Sequence, residues 1–532
     1  MEKTPKKPMK ISVGYFFLLC TLLFFMGMMN AVYALEVAVQ KITVSVQPAS
    51  YAVNIADLSC PAAPARSKKV KPKKAPTASS NDSDDSPLEL PDPEDVSSEA
   101  TEAGEPHTLT LNPNTGRWKQ ASANEPFRVA FWGDSHFAAG FFTQELGTAL
   151  GLTPEQVQGA FIPATMNRSG VRLPWVRKTC ISSGWQHESA HAVATAAEAP
   201  GPSMVNLVSR EPHASLAWDL RNAARTPVYS NVRFLYQQTA APITLGVRVD
   251  DGAEQAITLQ GAAGPAALEI EGNAPISVLH IRLLSGHLRA HGLGLETAAA
   301  TRLQLDLFAF PGATVRGWQY ANAPYFRSWF AHTPPYQLVV LQYGSNEGHE
   351  RTFDPTAYAQ TLRQSVMNLR QTFPQSTCLL IGPGDRGILV RSKRVKAKTK
   401  AKAKVKAKTK AKGKNRQPVV TVAQAATASA SPQLLRYSRI HAQIVKIQDA
   451  IGNEFGCQRW SMYQAMGGST SAYKWARQRP QLMSNDLLHF TVAGYQRLGQ
   501  LFVNDMGWKP ETIWLPSQST QNPVAAPIPP VE

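Results

Sequence analysis

Arg128-Val-Ala-Phe-Trp-Gly-Asp-Ser-His136 is a short apolar run that ends in a Gly-Asp-Ser turn. Apolar residues bounded by turn residues predict a buried strand, Val129–Trp132, followed by a helix. In α/β folds the loop between such a strand and helix lies at the carboxyl edge of the sheet, where ligands bind. Gly-Asp-Ser is also common in ordinary turns. The stretch therefore predicts an α/β domain in which Ser135 is a candidate reactive residue.

Two distant segments carry side chains that complete a hydrolytic site. Val339-Val-Leu-Gln-Tyr is a second apolar strand, and it leads into Gly344-Ser-Asn346-Glu347, while Asp486-Leu-Leu-His489 lies near the end of the folded region. A serine hydroxyl needs an adjacent base to take its proton, and His489 is the candidate base. Asp486 can bind the other ring nitrogen, fix the tautomer and stabilise the imidazolium.

A tetrahedral oxyanion needs hydrogen-bond donors, and three are expected here: the N–H of Ser135, the N–H of Gly312 and the side-chain amide of Asn346. Losing one such donor typically lowers the rate by ~100–1000-fold. A glycine at 312 leaves room for a substrate oxygen to approach the backbone. Asp134 is expected to brace the nucleophile loop, with plain turn stabilisation as the alternative.

Each of these residues also has a structural interpretation. Asp486 could cap a helix predicted over Thr491–Leu501, His489 could be a surface histidine, and Gly312 could simply form a turn. His136, beside Ser135, is assigned no catalytic role because one base is sufficient. The joint occurrence of the set favours catalysis.

The segments resemble the sequence blocks of the SGNH (GDSL-type) hydrolases, a family of serine esterases. Ser135 matches the nucleophile block, Phe310-Pro-Gly312-Ala313 the second block, Asn346 the third, and Asp486 with His489 the last. Gly382-Pro-Gly-Asp385 also follows a predicted strand, as a further block of the family does. The resemblance covers roughly residues 125–170 and 306–508, and it implies a three-layer, flavodoxin-like parallel sheet.

A second resemblance concerns the substrate. Met466-Gly-Gly-Ser-Thr-Ser-Ala-Tyr-Lys-Trp475 and His489-Phe-Thr-Val-Ala-Gly-Tyr495 resemble blocks of bacterial peptidoglycan O-acetylesterases. Thr470 stands where that family has glycine and Ala472 where it has methionine, and the lysine-rich insert is foreign to the pattern. The resemblance implies removal of acetyl from the C6 hydroxyl of N-acetylmuramic acid through an acyl-serine, with no cofactor and no metal.

Three other functions remain open. The enzyme could act on another acetylated polysaccharide of the cell envelope or of plants, because the ester is the same and only the pocket differs. It could be an acetyltransferase that moves the acetyl group from the serine to a sugar. It could also be a wall-binding protein with a vestigial site, although such a protein would not need all four of Ser135, Asn346, Asp486 and His489.

The chain has 532 residues, enough for two domains with tails. Strands and helices alternate over residues 122–170 and 306–508, which predicts a parallel α/β hydrolase domain. Residues 171–305 hold strand-like runs between turns and predict an inserted β-sandwich module of carbohydrate-binding type. Its tryptophans, Trp175, Trp185 and Trp218, could stack on sugar rings or belong to a core.

The two ends differ from the folded region in composition. Residues 1–34 combine lysines, an apolar run and small residues, which predicts a signal peptide, with an uncleaved membrane anchor as the alternative. We therefore expect an exported, periplasmic protein. Residues 35–121 are predicted to be a low-complexity linker, and residues 509–532 a disordered tail.

The formal net charge of +17 comes from two local segments. Residues 391–416 hold 14 Lys and Arg and no acid, and the N-terminus is also basic, so the remainder is near neutral. The Lys/Ala tract within residues 390–432 is predicted to be disordered. Its partners would be anionic envelope polymers, or it is a solvated loop without a partner. Nucleic acid is not expected as a partner.

Four cysteines lie outside the N-terminal segment, too few for a dense disulfide framework. Cys378 opens an apolar strand and Cys457 follows Glu454-Phe-Gly, so both are predicted to be buried apolar residues. A disulfide between Cys60 and Cys180 is a further option that the sequence does not support. No cluster of cysteines or histidines has metal-ligand spacing.

Overall fold

The computed structural model describes residues 37–46, 56–60, 88–102, 118–191, 200–222, 224–349, 353–391 and 433–516. In these residues the strands β1 to β20 are Ala38–Val44, Leu88–Glu89, Phe127–Gly133, Val157–Gln158, Phe161–Pro163, Lys178–Ile181, Gln186–Ser189, Val205–Ser209, Ser215–Asp219, Tyr229–Gln238, Ile243–Val249, Gln255–Leu259, Gly264–Ile276, Val278–Ser285, Leu288–Leu295, Leu303–Ala309, Leu338–Gln342, Thr377–Gly382, Val390–Arg391 and Gln458–Ser461. The helices α1 to α11 are Pro93–Glu102, Ser135–Ala138, Phe141–Ala149, Arg316–Gln319, Ala323–Ser328, Pro355–Thr372, Arg436–Phe455, Met462–Met466, Ser471–Arg477, Val492–Asp505 and Pro510–Ile513. The predicted signal or anchor at 1–34 and nearly all of the Lys/Ala segment 390–432 lie outside the described residues.

A parallel six-stranded sheet forms the centre of the hydrolase domain, in the order β20-β18-β17-β3-β16-β4. Helices cover both faces of this sheet, so both faces are buried. Successive side chains of β3 point to opposite faces and therefore enter different clusters. Val129 and Phe131 enter one apolar cluster with residues of α3 and α10, whereas Ala130 and Trp132 enter a second cluster with residues of α5, α6 and α7. This confirms the predicted three-layer α/β architecture.

The segment between β4 and β16, together with β1, forms a β-sandwich, as predicted for an inserted module. One sheet has the order β1-β13-β10-β15-β8-β7 with β5 added to β15, and the other has the order β12-β11-β14-β9-β6. Apolar side chains of both sheets meet in one buried cluster, which includes Trp218, Phe234 and Ile281. The module therefore has its own core.

Two strands of the module lie outside its predicted bounds, 171–305. β5 (Phe161–Pro163) pairs with β15, so the module begins earlier. β1 (Ala38–Val44) pairs in parallel with β13, within the segment predicted to be a linker. The Val, Ile and Thr residues of β1 favour a strand, but the partner strand is more than 200 residues away and no local signal indicates it.

The ends of the described chain also pack against the hydrolase domain. Within the predicted linker, Glu99 of α1 accepts hydrogen bonds from the backbone N–H groups of Leu434 (2.6 Å) and Leu435 (3.1 Å). Within the predicted tail 509–532, α11 precedes the buried Trp514, which forms a backbone bridge with Ala121. The folded domain therefore extends beyond residue 508, because Ile513 on this short helix and Trp514 directly after it bury apolar area there. Residues 517–532 lie outside the described part of the chain.

All four described cysteines form disulfides. Cys60 bonds Cys180, and Cys378 bonds Cys457 across 79 residues of sequence. The prediction that Cys378 and Cys457 are merely buried apolar residues is therefore wrong. Cys378 lies on β18 and Cys457 directly precedes β20, and these two strands are neighbours in the sheet, a proximity that sequence spacing cannot show.

Candidate active site

The nucleophile loop follows β3 directly. Asp134 is the N-cap of α2, and its side chain accepts a hydrogen bond from the N–H of His136 (2.9 Å). The N–H of Asp134 in turn donates to Oε1 of Gln342, at the end of β17 (3.1 Å). Ser135 is left half-buried at the start of a helix, with its hydroxyl at the carboxyl edge of the sheet. The Asp134 side chain thus stabilises the turn itself, and the backbone N–H of Asp134 ties the loop to β17.

Ser135, His489 and Asp486 form one continuous hydrogen-bonded chain. Ser135 Oγ lies 2.9 Å from Nε2 of His489, and Nδ1 of His489 lies 2.7 Å from Oδ2 of Asp486. The carboxylate fixes the proton on Nδ1, which leaves Nε2 free to accept the serine proton. The hydrogen bond to Asp486 raises the pKa of His489, against the opposing effect of partial burial.

A tight turn presents Asp486 to the histidine. Its Oδ1 accepts hydrogen bonds from the backbone N–H groups of Leu488 (3.0 Å) and His489 (2.9 Å). Partial burial opposes ionisation, but these bonds and the one from the His489 ring outweigh it, so the pKa of Asp486 is lowered. Asp486 does not cap the following helix, because Thr491 is the N-cap of α10.

The oxyanion candidates lie on loops at the same sheet edge. Gly133 of β3 is in register with Ala309 of β16 on one side and Gln342 of β17 on the other. The parallel register therefore brings the loops of Ser135, Gly312 and Asn346 together. Gly312 has φ +82° and a Cβ there would meet no atom within 4 Å. The backbone conformation, and not a lack of space, requires glycine at this position.

Asn346 links the second of these loops to the third. Its Nδ2 donates a hydrogen bond to the carbonyl of Ala313 (2.8 Å), next to Gly312. A side-chain amide has two N–H donors, so the second hydrogen remains for a substrate oxygen. The bond fixes the orientation of the amide before substrate binds.

Glu347 is a positioning residue to which the sequence analysis assigned no role. Its Oε1 accepts the N–H of Val315 (2.8 Å), after β16, and its Oε2 accepts the N–H of Gly344 (3.0 Å), after β17. The carboxylate thereby joins the two loops that carry Gly312 and Asn346. Burial raises the pKa of Glu347 to about 7, and the negative charge of Asp134 adds to this effect. The stretch Gly344-Ser-Asn346-Glu347 resembles the Gly-Thr-Asn-Glu of peptidoglycan O-acetylesterases, and that resemblance was the signal in the sequence.

His136 packs beside the ring of His489. Its ring centre lies 5.5 Å from that of His489, and its Nδ1 lies 3.3 Å from the Tyr495 hydroxyl. Burial lowers the pKa of His136 to about 3, so the ring is neutral at physiological pH. This environment agrees with the absence of a role as base.

The glycine-rich block packs on the loop after β18. Asp385 is buried, and its Oδ2 accepts the N–H of Ala472 (2.8 Å) at the start of α9. Thr470, which replaces a glycine of the resembling family, has φ +72°. A β-branched residue rarely adopts this conformation, which explains why glycine suits the position.

The three tryptophans named above contribute to cores. Trp218 is 1% exposed inside the sandwich. Trp175 and Trp185 are half-buried and pack against the hydrolase and module clusters respectively. Their packing favours the core interpretation over sugar stacking.

Within the residues described, no group of three or more His, Cys, Asp or Glu side chains is placed to hold a metal ion. None of the described helices combines the length and apolarity needed to cross a membrane.

No protein-family model matches the sequence, and no curated protein matches it. Among solved structures, a peptidoglycan O-acetylesterase matches with 19% identity and a TM-score of 0.50, over 78% of this chain and 94% of that one. A carbohydrate esterase family 2 enzyme with a carbohydrate-binding domain from Corynascus thermopiles matches with 9% identity, TM-score 0.22, over 61% and 100% of the two chains. A catalytic mutant of an acetylxylan esterase from Geobacillus stearothermophilus matches with 15% identity, TM-score 0.24, over 40% and 75%.

The first of these similarities extends over both the α/β domain and the module. At this identity it establishes the fold. The chain therefore has the SGNH-hydrolase fold, with a β-sandwich inserted between the loop of Ser135 and the loop of Gly312.

Proposed function

We propose that the protein is a serine esterase that removes O-acetyl groups from peptidoglycan, at the C6 hydroxyl of N-acetylmuramic acid. The observation that carries the proposal is the chain Ser135–His489–Asp486, with contacts of 2.9 and 2.7 Å. The shared fold, the sequence blocks and the name of the structural relative at TM-score 0.50 support the substrate class.

The reaction follows from the geometry in two halves. His489 Nε2 takes the proton of Ser135 while Oγ attacks the acetyl carbonyl, and the oxyanion accepts hydrogen bonds from the loop donors. The imidazolium then returns the proton to the departing sugar oxygen, which leaves acetyl-Ser135. Water, deprotonated by the same histidine, attacks this ester, and collapse releases acetate and regenerates the serine.

We further propose that the protein is exported to the periplasm, with the N-terminal segment either cleaved or kept as an inner-membrane anchor. The two disulfides support an oxidising compartment, since such bonds are rare in the cytosol. Contact of the Lys/Ala segment with anionic envelope polymers stays a prediction. Deleting residues 395–414 should leave turnover of a small acetyl ester intact and weaken binding to insoluble wall.

Acetate release from purified O-acetylated peptidoglycan tests the main proposal, with wild type and Ser135→Ala side by side and acetylated xylan for comparison. Release from peptidoglycan alone, lost in the variant, is the expected result. Release only from xylan would retain the mechanism and refute the substrate. If no acetate is released from either polysaccharide and a small acetyl ester is not hydrolysed either, a binding protein with a vestigial site would be favoured.

A further inference from the structure

Two arginines that the mechanism does not use lie on opposite sides of the catalytic serine. Arg386 follows β18 and Arg168 follows β5, yet both stack on aromatic rings at the carboxyl edge of the sheet. Arg386 lies after β18, and Phe310, on which Arg168 stacks, lies after β16. In the order β18-β17-β3-β16 these two strands are three strand spacings apart, or about 14 Å. Ser135, after β3, lies between them.

Arg386 is held beside the triad. The next residue, Gly387, donates its N–H to the carbonyl of Leu487 (3.1 Å), inside the Asp486–His489 turn. The guanidinium carbon lies 4.1 Å from the ring centre of Tyr437. On the half-buried Arg386, Nη1 is shielded from water and finds no hydrogen-bond acceptor among the described residues. Its charge acts on both Asp486 and His489.

The Arg386 flank also offers flat surface. The Tyr437 ring is half-buried, and it stacks on the exposed ring of His349 with centres 6.3 Å apart and planes at 13°. His349 ends the short turn after Asn346. A guanidinium beside stacked rings can hold a carboxylate while the rings contact the carbon face of a sugar.

Arg168 forms the other flank. It is exposed, and its guanidinium carbon lies 5.0 Å from the ring centre of Phe310, two residues before Gly312. The N–H of Phe310 donates to the carbonyl of Gly133 (3.0 Å), which fixes this ring against the nucleophile loop. The His187 ring lies on the same phenylalanine, 6.1 Å away. Within the described chain no carboxylate pairs with the Arg168 guanidinium.

We propose that Arg386 and Arg168 form two subsites that hold carboxylates of an acetylated glycan on either side of the ester bound at Ser135. A planar guanidinium pairs with a carboxylate through two parallel hydrogen bonds. The chain segment next to Arg386 cannot supply that anion, because residues 391–432 contain no Asp or Glu. The inference rests on the proposed esterase function and specifies its substrate as an anionic glycan.

The test compares two forms of one substrate. O-acetylated peptidoglycan fragments are used with their carboxylates free, or after the carboxylates have been converted to amides. For wild type we expect a KM about 10-fold lower for the free form. Arg386→Gln should bring the ratio of the two KM values near one, and Arg168→Gln should change it by about 3-fold, because its exposed charge is more strongly screened.

Arg363→Gln is the matched control, since it removes one exposed positive charge, paired with Glu454, on α6. It should retain the wild-type ratio. If an arginine variant fails to fold, the salt dependence of KM in the wild type still tests the inference. Raising the salt concentration from 0.05 to roughly 0.5 M shortens the screening length severalfold, so the KM of the free form alone should rise.

The outcomes separate the inference from the function on which it rests. The inference would be overturned if wild type turned over the free and the amidated fragments with equal KM, or if the arginine variants changed KM equally for both. Either result would leave the esterase function intact. Turnover of a small aryl acetate without turnover of either fragment would refute peptidoglycan as substrate, and the two subsites with it.

Discussion

Replacing Asp486 by asparagine tests how the triad places the histidine proton. In the wild type, Oδ1 of Asp486 accepts two backbone N–H groups, at 3.0 and 2.9 Å, and Oδ2 faces Nδ1 of His489. The single oxygen of asparagine has to take the place of Oδ1, so its NH2 group faces Nδ1. That nitrogen must then accept, the ring proton moves to Nε2, and His489 cannot take the proton of Ser135.

The magnitude follows from the bonds that resist rotation of the amide. Rotating the new amide group by 180° restores the productive tautomer of His489 but leaves two backbone N–H donors facing an NH2 group. Each unsatisfied donor costs about 1–3 kcal/mol when it is buried. Because the Asp486 side chain is 51% exposed, water reduces the cost to the lower part of that range. A total of ~2–3 kcal/mol corresponds to a loss of roughly 30- to 150-fold in kcat/KM.

The assay is kcat/KM for a small aryl acetate against pH, for wild type, Asp486→Asn and Asp486→Ala. Alanine removes the charge without imposing a tautomer, so the asparagine variant should be the slower of the two. Since Asp486 raises the pKa of His489 and the base form is the active one, wild-type activity is lost as the pH falls through that raised pKa. Both variants should shift this acid limb to lower pH. An asparagine variant as active as the alanine variant would refute the reasoning.

Of three further predictions, two concern the surroundings of the site and one concerns the disulfide between Cys378 and Cys457. Glu347→Gln leaves one of two loop N–H groups without its acceptor, so kcat/KM should fall by about 10-fold while the melting temperature drops only slightly; unchanged kinetics would contradict the positioning role. Thr470→Gly removes a β-branched side chain at positive φ and should raise the melting temperature by about 1–3 °C, measured by calorimetry. The double variant Cys378→Ala/Cys457→Ala should lose about 2–4 kcal/mol in denaturant unfolding, and an equal midpoint for both proteins would argue against the disulfide.

The hydrolase sheet was predictable because its strands are buried on both faces. Such strands are continuous apolar runs, and the apolar run quoted from Val339 is the strand Leu338–Gln342 in the structure. The site residues were predictable because parallel strands deliver their loops to one edge. Ser135, Gly312 and Asn346 follow the ends of three such strands, whereas His489 lies in the turn before α10 and was found from its spacing to Asp486.

Features that depend on distant partners were not predictable. β1 is an edge strand whose pairing with β13 leaves no local mark. The polar strand β7 (Gln186–Ser189) carries no β-branched or alternating apolar residues that would predict it. The Cys378–Cys457 pair depends on strand adjacency, and the Glu347 contacts depend on where two loops meet. In each case the deciding information is spatial.

The Cys378–Cys457 disulfide has a topological consequence for the lysine-rich tract. Every lysine of residues 391–416 lies between the two bonded cysteines. A protease that cuts after any of them divides the polypeptide into one piece with Ser135 and another with Asp486 and His489. The disulfide keeps these pieces in a single covalent molecule, so a nicked enzyme would migrate as one band without reductant and as two with it. The nucleophile and its base would remain tethered after the backbone between them has been broken.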